Sequence, residues 1–129
     1  MTEYRGIAPV FPVPDVDATV RWYAELLGWE NSVFPPAPPS QWASMRSGRV
    51  EIMLQRVEDY AKPDLQPRRG GGVWDAYVWV DDVNALHTHL TGKAELLQGP
   101  MDLPYGCREL WMRDLNGYVL VFAQDITGA

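Results

Sequence analysis

Val13-Pro14-Asp15-Val16-Asp17-Ala18 (VPDVDA) returns 67 residues later as Val80-Asp81-Asp82-Val83-Asn84-Ala85 (VDDVNA). The recurrence continues downstream. Met45-Arg46 reappears as Met112-Arg113 at the same spacing, and GRVEIMLQ from Gly48 comes back as GYVLVFAQ from Gly117, two residues further on. Three stations in the same order within a 129-residue chain mark an internal duplication, so the fold is sought as two copies of one unit.

Each copy reads as strand, helix and hairpin. A segment rich in Val, Pro and aromatics, Ile7 to Val13 or Trp74 to Val80, runs into an aspartate, Asp15 or Asp82, whose carboxylate suits a helix N-cap. Behind Asp15, Val16, Val20, Tyr23 and Leu27 recur at helical spacing with Gly28 as a stop. Behind Asp82, Val83, Leu86 and Leu90 do the same before Gly92. Hairpin strands follow near Trp42–Arg46 and Val50–Gln55, and near Arg108–Arg113 and Tyr118–Ala123, joined by SG and DLNG turns. The predicted architecture is α+β, two tandem βαβββ modules forming a cupped mixed sheet within a single domain over 1–129. Module one covers about 1–60, a linker about 61–72 and module two about 73–129. Pro35 to Pro39 (PPAPP) reads as a stiff loop, and Lys62 to Gly72 as a connection able to cover a pocket.

Composition narrows the function. Net charge is −6 and no basic stripe is present, which opposes nucleic-acid binding and is compatible with a cationic ligand. Apolar runs stay far below the ~18 residues of a membrane span. The opening MTEYRGIAPV shows no secretory pattern and Cys107 is the single cysteine, so a cytoplasmic location is expected. Six Trp and six Tyr exceed what a core of this size needs, and flat rings suit stacking on a planar ligand.

Strand alternation places those rings. Asp75, Tyr77 and Trp79 share one face, while Ala76, Val78 and Val80 take the helix side; Glu109 and Trp111 share a face opposite Leu110 and Met112. Trp42 stands in the first copy where Glu109 stands in the second. For Val50–Gln55 the repeat points Ile52 toward the pocket, whereas polarity points Met53 and Gln55 there. Trp22 and Trp74 are assigned to core or dimer interface, and Glu51, Glu58 and Asp59 to solvated surface. His87 and His89, two apart on a helix, face different ways, and Cys107 has no neighbouring base in sequence.

Two segments, PVFPVPDVDATVRWYAELLGWE from Pro9 and YGCRELWMRDLNGYVLVFAQ from Tyr105, resemble the vicinal oxygen chelate superfamily, with Leu115 where the family's YG-x-RE-x-x-x-RDP-x-G pattern has proline. That superfamily includes glyoxalase I, extradiol dioxygenases, fosfomycin-resistance proteins and bleomycin-binding resistance proteins. The family's metal stations correspond to Ala8, Asp75, Ile52 and Val121. A single carboxylate among three apolar residues does not make a catalytic divalent site, so neither a metal nor another cofactor is expected.

Among members, the chain looks most like the metal-free bleomycin-resistance proteins, which sequester drug without changing it. The resemblance implies that Trp42 and Tyr105 sandwich a planar ring, with Phe34 as a nearby wall, Tyr77 at a pocket tryptophan position and Gln55 as a polar contact. It also implies a homodimer, with Pro9 at a strand-exchange hinge. The expected ligand-binding set is Phe34, Trp42, Met53, Gln55, Asp75, Tyr77, Trp79, Tyr105, Glu109 and Trp111, with no catalytic residue. The expected ligand is a small, planar, cationic aromatic of the bleomycin type. The rival reading is an isomerase, lyase or cyclase on the same scaffold, with Asp75 or Glu109 as general base.

Overall fold

The structure is a computed structural model that describes residues 1–128. It comprises two compact units, Met1–Ala61 and one beginning at Lys62. The first runs β1 (Val10–Val13), α1 (Val16–Leu27), β2 (Glu30–Phe34), β3 (Trp42–Ser47) and β4 (Val50–Arg56). The second runs α2 (Gln66–Arg69), β5 (Ala76–Trp79), α3 (Val83–Leu90), β6 (Glu95–Leu103), β7 (Cys107–Arg113) and β8 (Val119–Asp125). Each unit carries a four-stranded sheet, ordered β1-β4-β3-β2 and β5-β8-β7-β6. Only β1–β4 and β5–β8 are parallel, which makes both sheets mixed and gives the anticipated pair of βαβββ modules.

The capping aspartates explain where the helices start. Asp15 Oδ1 accepts the Ala18 amide and Asp82 Oδ1 the Ala85 amide, each at 2.9 Å, satisfying one orphan N–H in the first turn. Gly28 ends α1 at φ +72, a left-handed conformation that costs glycine little. The second helix stops earlier than its Gly92 signal. It ends at Leu90, and Lys93 and Ala94 both donate to the Leu90 carbonyl at 2.9 and 3.1 Å, so Gly92 shapes the turn beyond the helix.

Alternation then divides each sheet into a helix face and an open face. In the first unit α1 packs on β3 and β4. Phe11, Val13, Ala43, Met45, Ile52 and Leu54 are buried there with Val16, Val20 and Tyr23 of the helix. In the second unit the residues buried on the helix side include Val78, Leu110, Met112, Leu120 and Phe122, with Val83 and Leu90 from α3.

Burial of Ile52 settles the register of β4 against the repeat. Met45 pairs with Ile52 and Met112 with Leu120, so Ile52 corresponds to Leu120 on the helix face, and Met53 corresponds to Val121. The second turn is therefore one residue longer than the first, not two. Aligning Gly48 with Gly117 misled because Gly117 belongs to a wider turn, in which Asp114 Oδ1 accepts the Asn116 and Tyr118 amides at 2.8 and 2.9 Å.

The connecting segment is more structured than a loop. Gln66 exchanges two hydrogen bonds with the Val73 backbone, at 2.6 and 3.0 Å, which fastens α2 to the start of the second unit.

Candidate functional site

The open face of the second sheet is built around one carboxylate. Tyr77 and Trp79 rise from β5, Glu109 and Trp111 from β7, and between them β8 contributes the small residues Val121 and Ala123. That low floor lets Tyr77 reach across β8, and its hydroxyl donates to Glu109 Oε2 at 2.6 Å. The turn between β6 and β7 delivers a second phenol: Gly106, at φ +88, closes it, and Tyr105 Oη donates to the same Oε2 at 2.5 Å. Trp111 Nε1 donates to the other oxygen, Oε1, at 3.0 Å. Glu109 is fully buried, yet both oxygens are satisfied.

Electrostatics follow from this geometry. Burial alone would push the Glu109 carboxyl up, but the bonds from Tyr105, Tyr77 and Trp111 outweigh it and hold the group below the ordinary carboxylate range. The same contacts keep the phenols protonated. Desolvation first, and the bond to Glu109 second, raise Tyr77 well above its usual value and push Tyr105 up to about 12. Tyr105 is nevertheless 56% exposed, so its hydroxyl end is the desolvated part and its ring meets solvent.

Further rings surround this network. Trp74 lies 5.5 Å from both Tyr77 and Trp111, and Trp79 lies 5.4 Å from Tyr77, all in tilted or edge-on contacts. Trp79 is 59% exposed. Trp74, assigned from sequence to core or interface, belongs to the aromatic set of this face. It was missed because it precedes β5, where a two-residue period no longer applies.

Asp75 stands apart from these side chains. Its Oδ2 accepts the Val119 amide at 2.8 Å and meets Lys62 Nζ at 3.2 Å, and the Lys62 side chain is only 7% exposed. This ion pair, with Lys62 also over the Tyr118 ring, commits Asp75 to joining the chain entry, β5 and β8. Lys62 carried no sequence signal, because it pairs with a residue thirteen positions away across a nonrepetitive segment.

In the first unit the open face carries Trp42, Ser44, Met53, Gln55 and Phe34, with Trp42 paired to both Gln55 and Phe34 and Ser44 paired to Met53. Polarity, not the repeat, gave the correct side for Met53 and Gln55. Trp42 is half-buried and Phe34 exposed. Glu51, expected to be solvated, is half-buried and accepts from Ser44 Oγ at 2.6 Å. Arg46 Nη1 donates to that same hydroxyl at 2.9 Å.

The donor set does not suit the divalent metal that many members of this fold use. With the register corrected, the four stations hold Ala8, Met53, Asp75 and Val121, and the one carboxylate is already taken by Lys62 and a backbone amide. Among the described residues no three His, Cys, Asp or Glu side chains come together as ligands. No helix is long and apolar enough to cross a membrane among them either.

Several solved proteins have a similar fold. TioX from Micromonospora sp. ML1 is 26% identical, with a TM-score of 0.71 over 93% of this chain and 99% of that one. The bleomycin-binding protein from bleomycin-producing Streptomyces verticillus, solved with copper(II)-bleomycin, is 23% identical, with a TM-score of 0.67 over 95% and 97%. A glyoxalase-related enzyme from Clostridium phytofermentans is 18% identical, with a TM-score of 0.70 over 97% and 98%. No curated protein matches. The Glyoxalase/Bleomycin resistance protein/Dioxygenase superfamily model matches residues 7–122, and the chain belongs to that superfamily.

Proposed function

We propose that this protein captures a planar, cationic aromatic natural product of the bleomycin type and confers resistance by sequestration, acting in the cytoplasm as a homodimer. The observation that supports this most is the state of the two candidate bases. Glu109 is buried beneath three donors and Asp75 Oδ2 is held by Lys62 and the Val119 amide, so the contacts of each carboxylate come from the fold itself, which favours a binding role over proton abstraction. What the open faces offer is ring surface, with Phe34, Trp79 and Tyr105 all more than half exposed. Exposed rings of that kind act by stacking, worth roughly 0.5 to 1.5 kcal/mol per pair beyond area burial. The fold similarity to a bleomycin-binding protein is in keeping with this reading.

The test is a titration with metal-free and copper(II)-bleomycin, followed by tryptophan fluorescence, with Trp42, Trp79 and Trp111 as reporters. Saturable quenching with micromolar or tighter affinity is expected, and Trp42→Ala or Tyr105→Ala should each weaken it at least about tenfold, or ~1.4 kcal/mol. No response to either drug form would overturn the bleomycin assignment. Sedimentation of the free protein as a monomer would overturn the homodimer.

A further inference from the structure

Three π systems, the phenols of Tyr77 and Tyr105 and the indole of Trp111, donate to one buried carboxylate at 2.6, 2.5 and 3.0 Å. A hydroxyl or N–H that donates to an anion passes part of the negative charge back into its own ring, and in a low-dielectric environment that hydrogen bond is electrostatically stronger than in water. The ring face, already negative through its quadrupole, becomes more so, and an electron-rich face attracts cations and electron-poor rings. Glu109 is itself inaccessible, so a ligand touches not the carboxylate but the rings bonded to it, of which Tyr105 is the most exposed.

We propose that Glu109 is a positioning and polarising residue that tunes these rings to select cationic or electron-poor aromatic ligands over neutral ones of the same shape. The inference rests on the capture reading above and assigns the specificity of its aromatic face. It also gives an origin to the preference for cations that does not need a ligand group touching a carboxylate. A direct ion pair with Glu109 would require Tyr105 to leave its short hydrogen bond first.

The experiment compares N-methylquinolinium with 4-methylquinoline, a neutral molecule of nearly the same shape, by calorimetric titration of the full chain under mildly alkaline conditions where the latter is uncharged. The wild-type protein should prefer the cation by roughly fivefold, the equivalent of about 1 kcal/mol for a cation–π contact. Glu109→Gln should bring that ratio close to one. Because removing a buried anion alters folding, Tyr105→Phe provides the deciding arm: it keeps the carboxylate and the ring but breaks their link. A ratio reduced in Tyr105→Phe supports polarisation through the ring. Full preference retained both in Tyr105→Phe and in the Tyr77→Phe/Tyr105→Phe double variant would overturn the proposal, because the charge would then act directly. Equal binding of both probes by the wild type, or binding of neither, would also overturn it. Bleomycin capture with equal probe binding leaves the functional reading standing without this inference. A clear cation preference with no bleomycin response does the reverse.

Discussion

At the scale of single residues, Glu109 is the side chain on which most depends. Its folded-state carboxyl lies below the ordinary range, so its stabilising contribution is present above the unfolded carboxyl value of about 4.3 and is lost as pH falls through the folded one. The stability difference between wild type and Glu109→Gln should therefore narrow on acidification, as read from urea midpoints across the acid range. Tyr105 has the opposite sign. Its value rises from 10.0 to about 12, so its contribution is complete below the first figure and lost as pH climbs through the second. The advantage of wild type over Tyr105→Phe should shrink across that alkaline interval. Alternation placed Glu109, Trp111, Tyr77 and Trp79 on their face correctly. What it could not show was the convergence on one acceptor, since a turn carries Tyr105 back over Glu109 and β8 separates Tyr77 from it.

At the scale of elements, the caps and one glycine carry the testable content. Asp15→Ala and Asp82→Ala should each cost about 1 kcal/mol in chemical denaturation, the usual loss for an N-cap whose side chain accepts a first-turn amide. Gly99 should be far less tolerant. It lies at φ +98 in β6, inside the register shift between Gln98↔Trp111 and Met101↔Glu109, and a Cβ there would collide with the Glu109 carbonyl oxygen. Gly99→Ala should cost at least about 2 kcal/mol and disturb Trp111 emission, since strain at a left-handed position adds to the clash. A thermal melt superimposable on wild type would contradict this. The strand β6 was not placed from sequence: ELLQGPMDL is broken by this bulge and its two charges sit on opposite faces, paired with Arg113 and Arg108. Strand β2 was not placed either, its burial showing no period of two, and neither was the four-residue α2 within the connecting segment. Helices α1 and α3 and strands β1, β3, β4, β5, β7 and β8 were legible because caps and apolar periodicity coincide there. In β4 the matching glycines and the polarity pattern pointed to different registers, and burial of Ile52 decides for the second.

At the scale of the whole chain, duplication made the architecture readable and divergence obscured the chemistry. Trp42, Val10 and Ser44 occupy in the first copy the stations of Glu109, Tyr77 and Trp111 in the second, so the two open faces share a backbone plan and almost no functional groups. A repeat therefore announces the fold and misinforms about the site. Net charge, by contrast, acts at this scale alone. With −6 overall, capture of a cationic ligand should be fastest at low ionic strength, and the association rate measured by stopped flow should fall as salt rises from about 0.01 to about 0.15 M while dissociation changes little. A rate indifferent to salt would assign recognition to the rings and their immediate surroundings.

The carboxylate with three donors also shapes how this protein can evolve. Positions 77, 105, 109 and 111 meet at two oxygen atoms, so a change at any one alters the cost of changes at the others, and their effects will not add. A lineage that replaced Glu109 first would strand two phenols and an indole. One that replaced the donors first would bury an uncompensated charge. Drift by single steps is thus penalised in either order. The four positions are expected to persist together in close relatives or to be exchanged together in distant ones, giving the cluster the inheritance of one character distributed over four sites.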